Sequence, residues 1–181
     1  MMEVKSPEEL AKEATKAYQS GEYLEAGAAF KAAADGYEAA NDALQAAEMR
    51  NNQSVALLQG DDAEGALAVV QGTDAIFAAA GDKLRQAMAL GNQASALDAL
   101  KRLEEAEAAY VASADLLKEL GEDDLRATVM QSLSALQLRS GRQLEALATM
   151  KAGVDNVEKP NLRQRMLKRL LKLPQKFMNK S

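Results

Sequence analysis

The chain has 181 residues, 48% hydrophobic but only 4% aromatic, a formal net charge of −5, and no Cys, His or Trp. With neither thiol nor imidazole there is no disulfide framework, no thiolate nucleophile or metal site, no Ser-His-Asp triad and no His-ligated metal. Carboxylates and lysines remain, so this composition disfavours enzymatic chemistry without forbidding it. Alanine is the commonest residue, 37 of 181, with Leu second and only 3 Pro, which predicts a mostly helical chain. The length suits one domain or one linear array of repeats. Residues 1–18 are studded with Glu and Lys and lack the apolar core of a signal peptide. No stretch approaches the roughly 18 uninterrupted apolar residues of a membrane-spanning helix. A soluble, cytoplasmic protein is expected.

Taken in chain order, the first helix starts at Ser6-Pro7-Glu8-Glu9, which sets an N-cap, a proline at the first helical position and Glu at the third. Gly21, Gly60, Gly81, Gly121 and Gly141 then fall between apolar-periodic stretches. Blocks of 40 residues bring these stretches into register. Asp42-Ala43-Leu44 aligns with Asp82-Lys83-Leu84, and Asn52-Gln53-Ser54 with Asn92-Gln93-Ala94. In the second block the first helix is predicted from about Asp42 to Leu58 and the second from about Asp62 to Ala79. Asp42, Asp82 and Glu122 open successive blocks, where the helix dipole favours an acid.

Five columns run through all four blocks without an insertion. Ala14, Ser54, Ala94 and Ser134 are small, as are Ala26, Ala66, Ala106 and Ala146. Phe30, Val70, Tyr110 and Met150 are large. Three residues on come Ala33, Thr73, Ser113 and Gly153, then Tyr37, Phe77, Leu117 and Val157. The small-x3-large-x2-small spacing puts three side chains on one helical face. Small residues let backbones approach, and the large residue fills the groove between neighbours. One helix pair cannot bury its apolar face alone, so pairs stack on one another. Phe30 and Tyr110 are accordingly read as core.

These columns resemble the tetratricopeptide repeat, whose pattern is W-x2-L-G-x2-Y, then A-x3-F-x2-A, then P. The matching residues are Leu10, Ala14, Gly21, Ala26, Phe30 and Ala33 in the first repeat. Leu90, Ala94, Ala106 and Tyr110 match in the third, and Met130, Ser134, Ala146 and Met150 in the fourth. The chain departs from the pattern in lacking Trp, in placing Arg50 at a large position, and in offering only Pro160 as a terminal proline. Its period of 40 exceeds the usual ~34, as in the longer repeats of SNAP-type and kinesin-light-chain arrays; HEAT-like packing, with a period of about 40–47, is the neighbouring alternative. The resemblance implies an all-α, right-handed superhelix (an α-solenoid) of four antiparallel helix pairs, about 6–41, 42–81, 82–121 and 122–160, plus a C-terminal helix in 161–181. It implies a non-catalytic protein-interaction scaffold, with no cofactor, that binds a peptide or partner segment in a concave groove lined by the first helix of each pair. The groove residues would be Tyr18; Asn51, Asn52, Val55 and Leu58; Met88, Asn92, Ser95 and Asp98; and Gln131 and Leu138. Their amides suit a peptide backbone, while Tyr18, Leu58, Met88 and Leu138 offer apolar area. Asn52 and Asn92 carry a second reading, as bonds between adjacent helices.

The acidic clusters Asp61-Asp62, Glu104-Glu105-Glu107 and Glu122-Asp123-Asp124 sit at helix starts or on a solvated face, and are not read as cation sites. No phosphate loop, EF-hand or Rossmann fingerprint appears.

The charge is unevenly spread. All 27 acids and 15 of the 22 basic residues lie in 1–160, a net of −12, while 161–181 holds the other seven basic residues and no acid. Within it Leu162, Met166, Leu170, Leu173 and Phe177 form one apolar stripe, and Arg163, Arg165, Lys168, Arg169, Lys172 and Lys176 form a basic patch. Pro174 should end or kink this helix. The favoured reading is a cap on the last repeat; the competing one is an amphipathic helix that meets an anionic membrane surface, which would make the chain a peripheral membrane adaptor. Self-association through the acidic body and basic tail is a third reading, giving a homo-oligomer. Nucleic acid is disfavoured, because the −12 body repels phosphate and no aromatics interleave the basic residues.

Overall fold

The computed structural model describes residues 5–155, 157, 165 and 166. Among them are nine helices and no strand: α1 (Pro7–Gln19), α2 (Tyr23–Ala39), α3 (Ala43–Gln59), α4 (Ala63–Val70), α5 (Thr73–Ala79), α6 (Lys83–Ala99), α7 (Leu103–Leu120), α8 (Asp123–Arg139) and α9 (Gln143–Asp155). The chain divides into two compact units, residues 1–109 and 110–181, with the division inside α7.

A backbone device sets the period. Gly21, Asn41, Asp61, Gly81, Lys101, Gly121 and Gly141 all adopt positive φ, one every 20 residues. The residue after each donates its N–H to the carbonyl five back: Glu22 to Ala17, Asp42 to Tyr37, Asp62 to Leu57, Asp82 to Phe77, Arg102 to Leu97, Glu122 to Leu117 and Arg142 to Gln137, each at 2.9 Å. This is the Schellman closure, which satisfies the carbonyls left over at a helix end. At three of these turns the same residue also caps the next helix through its side chain, whereas Glu22 and Glu122 make no such bond. Asp42, Asp62 and Asp82 accept from the backbone N–H of Gln45, Gly65 and Arg85 at 3.1, 2.8 and 2.9 Å. At the first helix the Ser6–Glu9 capping box is complete.

Three of these seven turn positions are not glycine. Asn and Asp tolerate this region through their short polar side chains, but Lys101, at φ 63°, does not. Lys101→Gly should therefore stabilise the protein by about 0.5–1 kcal/mol, with the relief of strain exceeding the added chain entropy of the unfolded state. A thermal melt checks this. An unchanged or lower midpoint would show that the turn carries no strain at Lys101.

The second helix of the second pair departs from expectation. Instead of one helix to Ala79, it breaks at Gln71-Gly72 into α4 and α5. Gln71 is extended at the end of α4, Gly72 takes φ 85°, and the Thr73 hydroxyl donates to the Val70 carbonyl at 2.8 Å. A residue of positive φ cannot continue a right-handed helix, and Gly is the residue that adopts it at little cost. The break adds no residue, so the 20-residue turn period is kept.

The columns form the cores of both units. In the first, Ala14, Ala26, Phe30, Ala33, Ala34, Met49 and Ala56 make one cluster, and Ala47, Phe77 and Ala89 another. In the second, Tyr110, Ser113, Leu117, Leu133, Ser134 and Leu136 are buried. There Ser134 Oγ donates to the Ala146 carbonyl at 2.9 Å, and a Cβ on Gly153 would lie 2.9 Å from Met130 Cβ. α8 and α9 are thus in backbone-close contact at the small columns. Each fully buried large side chain contributes about 1.5–3 kcal/mol. Arg50, in a column of large residues, is accommodated by an ion pair with Glu38 on α2.

Candidate interaction surface

In the first unit the first helices of three pairs, α1, α3 and α6, carry most of the expected groove residues. Tyr18 is half-buried, its ring 5.5 Å from that of Tyr23 and tilted by 57°. Asn52, Val55, Leu58, Asn92, Ser95 and Asp98 are half-buried, and Met88 is 44% exposed. Ser95 Oγ donates to the carbonyl of Gly91 in its own helix. Asn51 is placed differently: it is buried, and its Oδ1 accepts from Asn92 Nδ2 at 2.8 Å. This bond ties α3 to α6, so the inter-helix reading of Asn92 is realised through Asn51 and not Asn52. In the second unit Gln131 and Leu138 lie exposed on α8.

A second polar tie joins the same two helices. Arg85 Nη1 donates to Glu48 Oε2 at 2.9 Å and Nε to Asp82 Oδ2 at 2.7 Å, while the guanidinium lies 5.2 Å over the Phe77 ring. The Arg85 backbone N–H and then its side chain hold the Asp82 carboxyl below its ordinary value, and the bond to Asp82 is the main cause raising Arg85. The ring face favours the cation, and a charge with three partners is fixed in place. The Asp82–Arg85 spacing of three was visible in sequence; Glu48, 37 residues upstream, was not.

On α1 a depression of about 390 Å³ is lined by Glu8, Ala11, Lys12, Thr15, Lys16, Gln19 and Tyr37. A backbone hydrogen bond and the Ser6 hydroxyl hold Glu8 below the usual carboxylate range. Burial, followed by the nearby Glu8 carboxylate, raises the Tyr37 phenol. Another depression, of about 430 Å³, lies beside the α4–α5 break and is lined by Glu64, Leu67, Ala68, Gln71, Leu100 and Arg102. Arg102 holds Glu105 in a two-pronged pair at 2.8 and 2.6 Å. In the second unit Arg126, buried on α8, donates through Nη1 to the Ala152 carbonyl at 2.9 Å, a cation set at the C-terminal end of α9.

Among the described residues no group of three or more acidic side chains is placed to hold a metal ion, and no helix is long and apolar enough to cross a membrane. The basic-patch residues Arg163, Lys168, Arg169, Lys172 and Lys176 lie outside the described residues; Arg165 and Met166 are helical and exposed.

Successive helix pairs, their turns and their columns of small residues define an all-α solenoid of the TPR-like kind. No family model and no curated protein matches the sequence. Solved structures do match. One described as the nearly identical TPR-like repeats of a Podosopora anserina kinesin light chain is similar at TM-score 0.72 and 13% identity, covering 98% of this chain and 100% of that one. A variant of that same protein is similar at 0.73 and 12%, covering 99% and 100%. At these identities the likeness is one of fold.

Proposed function

We propose that the chain is a non-catalytic interaction scaffold whose first helices take up an extended peptide or partner segment. One observation carries the reading. The Asn51–Asn92 bond and the Glu48–Arg85–Asp82 cluster fix α3 against α6, and beside them Asn52, Val55 and Asp98 stay part-open and Met88 open. Part-open amides next to exposed apolar area, on helices tied to one another, match the needs of an extended backbone with apolar side chains. Gln131 and Leu138 offer the same combination on α8 of the second unit.

The experiment isolates a partner with the wild-type chain and measures its Kd against Asn52→Ala combined with Met88→Ala. The expected result is a loss of roughly tenfold or more, or ~1.4 kcal/mol, with an unchanged unfolding midpoint. Equal affinity for both proteins would defeat the groove reading. Asn92→Ala is the structural control: it leaves buried Asn51 without its donor and should cost about 1–2 kcal/mol of stability.

A further inference from the structure

Seven helix ends recover their carbonyls through the Schellman bond, and the end of α4 does not. There the Gln71 N–H reaches the Leu67 carbonyl at 3.1 Å, and the Thr73 hydroxyl reaches that of Val70. Among the described residues no N–H returns to the carbonyls of Ala68 and Val69. Helix α4 therefore ends with its negative pole open. The cause is the break at Gly72. In α2, α7 and α9 the residues equivalent to Ala68 and Val69 lie inside an unbroken helix, where the N–H four residues on claims each carbonyl. The open end thus distinguishes the second repeat from the other three.

The depression of about 430 Å³ lies at this end, with Ala68 and Gln71 in its lining. Glu64, one turn before Ala68 on the same helical face, also lines it. Its carboxylate is exposed and enters no ion pair among the described residues. Arg102, the one cation of the lining, is already held by both oxygens of Glu105. Half-buried Leu67 and Leu100 make the walls apolar. The flanking turns and helix starts add to the negative charge, carrying Asp61, Asp62, Glu64, Glu104 and Glu105 against Lys101 and Arg102.

Apolar walls, open acceptors and surplus negative charge suit a long aliphatic stem that ends in a cation. A lysine ammonium directs three donors from one point and fits separate acceptors, whereas the flat arginine fork is matched to a carboxylate pair. We propose that this depression is a second docking site, which takes one lysine side chain from a basic segment of a partner protein. The stem lies along Leu67, Ala68 and Leu100, and the ammonium meets the Glu64 carboxylate and the open end of α4. The site shares no lining residue with the groove, so either reading can fail without the other.

The experiment titrates a capped Gly-Lys-Gly peptide into the isotope-labelled full chain and follows the backbone amide shifts. Saturable changes are expected at Glu64, Leu67, Ala68, Gln71 and Leu100, with a Kd of about 1–10 mM for a single side chain. The same peptide with norleucine in place of lysine should leave these amides unmoved. Glu64→Gln should weaken binding about threefold, the scale of one exposed ion pair. Glu25→Gln makes the same charge change on α2, outside the depression, and should leave the Kd unaltered. Equal binding of the norleucine peptide, or an unchanged Kd in Glu64→Gln, would overturn the proposal. So would shifts confined to Asn52 and Asn92, which would give the lysine to the groove, or no shift at all.

Discussion

Truncation of Phe77 to Ala should lower the unfolding free energy by about 3–5 kcal/mol, the cost of emptying a fully buried aromatic site. Phe77 has no exposed surface and clusters with Ala47 of α3 and Ala89 of α6, flanked by half-buried Leu44 and Ile76. Its position makes the loss hard to absorb. It lies on α5, a helix of only seven residues cut off from α4 by the Gly72 break. A helix this short has no independent stability and depends on what it packs against. Small alanines at 47 and 89 cannot move in to fill the space. The Arg85 guanidinium also loses the ring face beneath it, worth about 0.5–1 kcal/mol at such a site. With total stabilities of about 5–15 kcal/mol, a loss of this size is a large share of the whole. Urea unfolding followed by helical circular dichroism measures it. A change below about 1 kcal/mol would mean that the α5 contacts are not part of the cooperative core.

Much of the fold was legible because its cause is local. Column spacing is a property of one helix face, and a period of 40 returns that face four times. The finer period of 20 was hidden. Glycine marks only four of the seven turns that repeat every 20 residues; Asn41, Asp61 and Lys101 adopt the same conformation without the same letter. At the third turn Gly60 looked like the punctuating residue, yet Asp61 takes the positive φ. The break at Gly72 was hidden for the opposite reason. A single glycine inside an apolar-periodic stretch is usually absorbed by the helix, and only the backbone reveals that this one is not. For the interaction surface, residue types were readable and pairings were not. Asn52 and Asn92 align at 40, but the bond joins Asn51 to Asn92, 41 apart. A repeat register says which positions are equivalent; which neighbours touch depends on the rotation between successive pairs. That rotation buries Asn51 and leaves Asn52 part-open.

The small columns lead to the second large effect. Ser134→Leu should destabilise by about 2–4 kcal/mol, combining overpacking of roughly 1–3 kcal/mol with the loss of a buried hydrogen bond of about 1 kcal/mol. Ser134 has no exposed surface, and its hydroxyl reaches the Ala146 carbonyl at 2.9 Å. A side-chain oxygen one bond beyond Cβ already touches the backbone of the next helix, so the γ-carbon and two methyls of Leu have nowhere to go. The facing residue is alanine, which has no rotamer to move. Nearby, Gly153 stands where even a Cβ would press on Met130 Cβ. Relief therefore requires α9 to shift away from α8, which would loosen the Arg126–Ala152 bond and the packing of Val154 together. Ser134→Ala separates size from hydrogen bonding. Alanine fills this column at Ala14 and Ala94 with no exposed surface, so the smaller change should cost about 1 kcal/mol or less. The decisive measurement is the difference between the two variants in denaturant midpoint at unchanged slope. If Leu and Ala at 134 prove equally tolerated, close backbone approach is not what the small residues provide. The abundance of alanine would then reflect helix propensity alone.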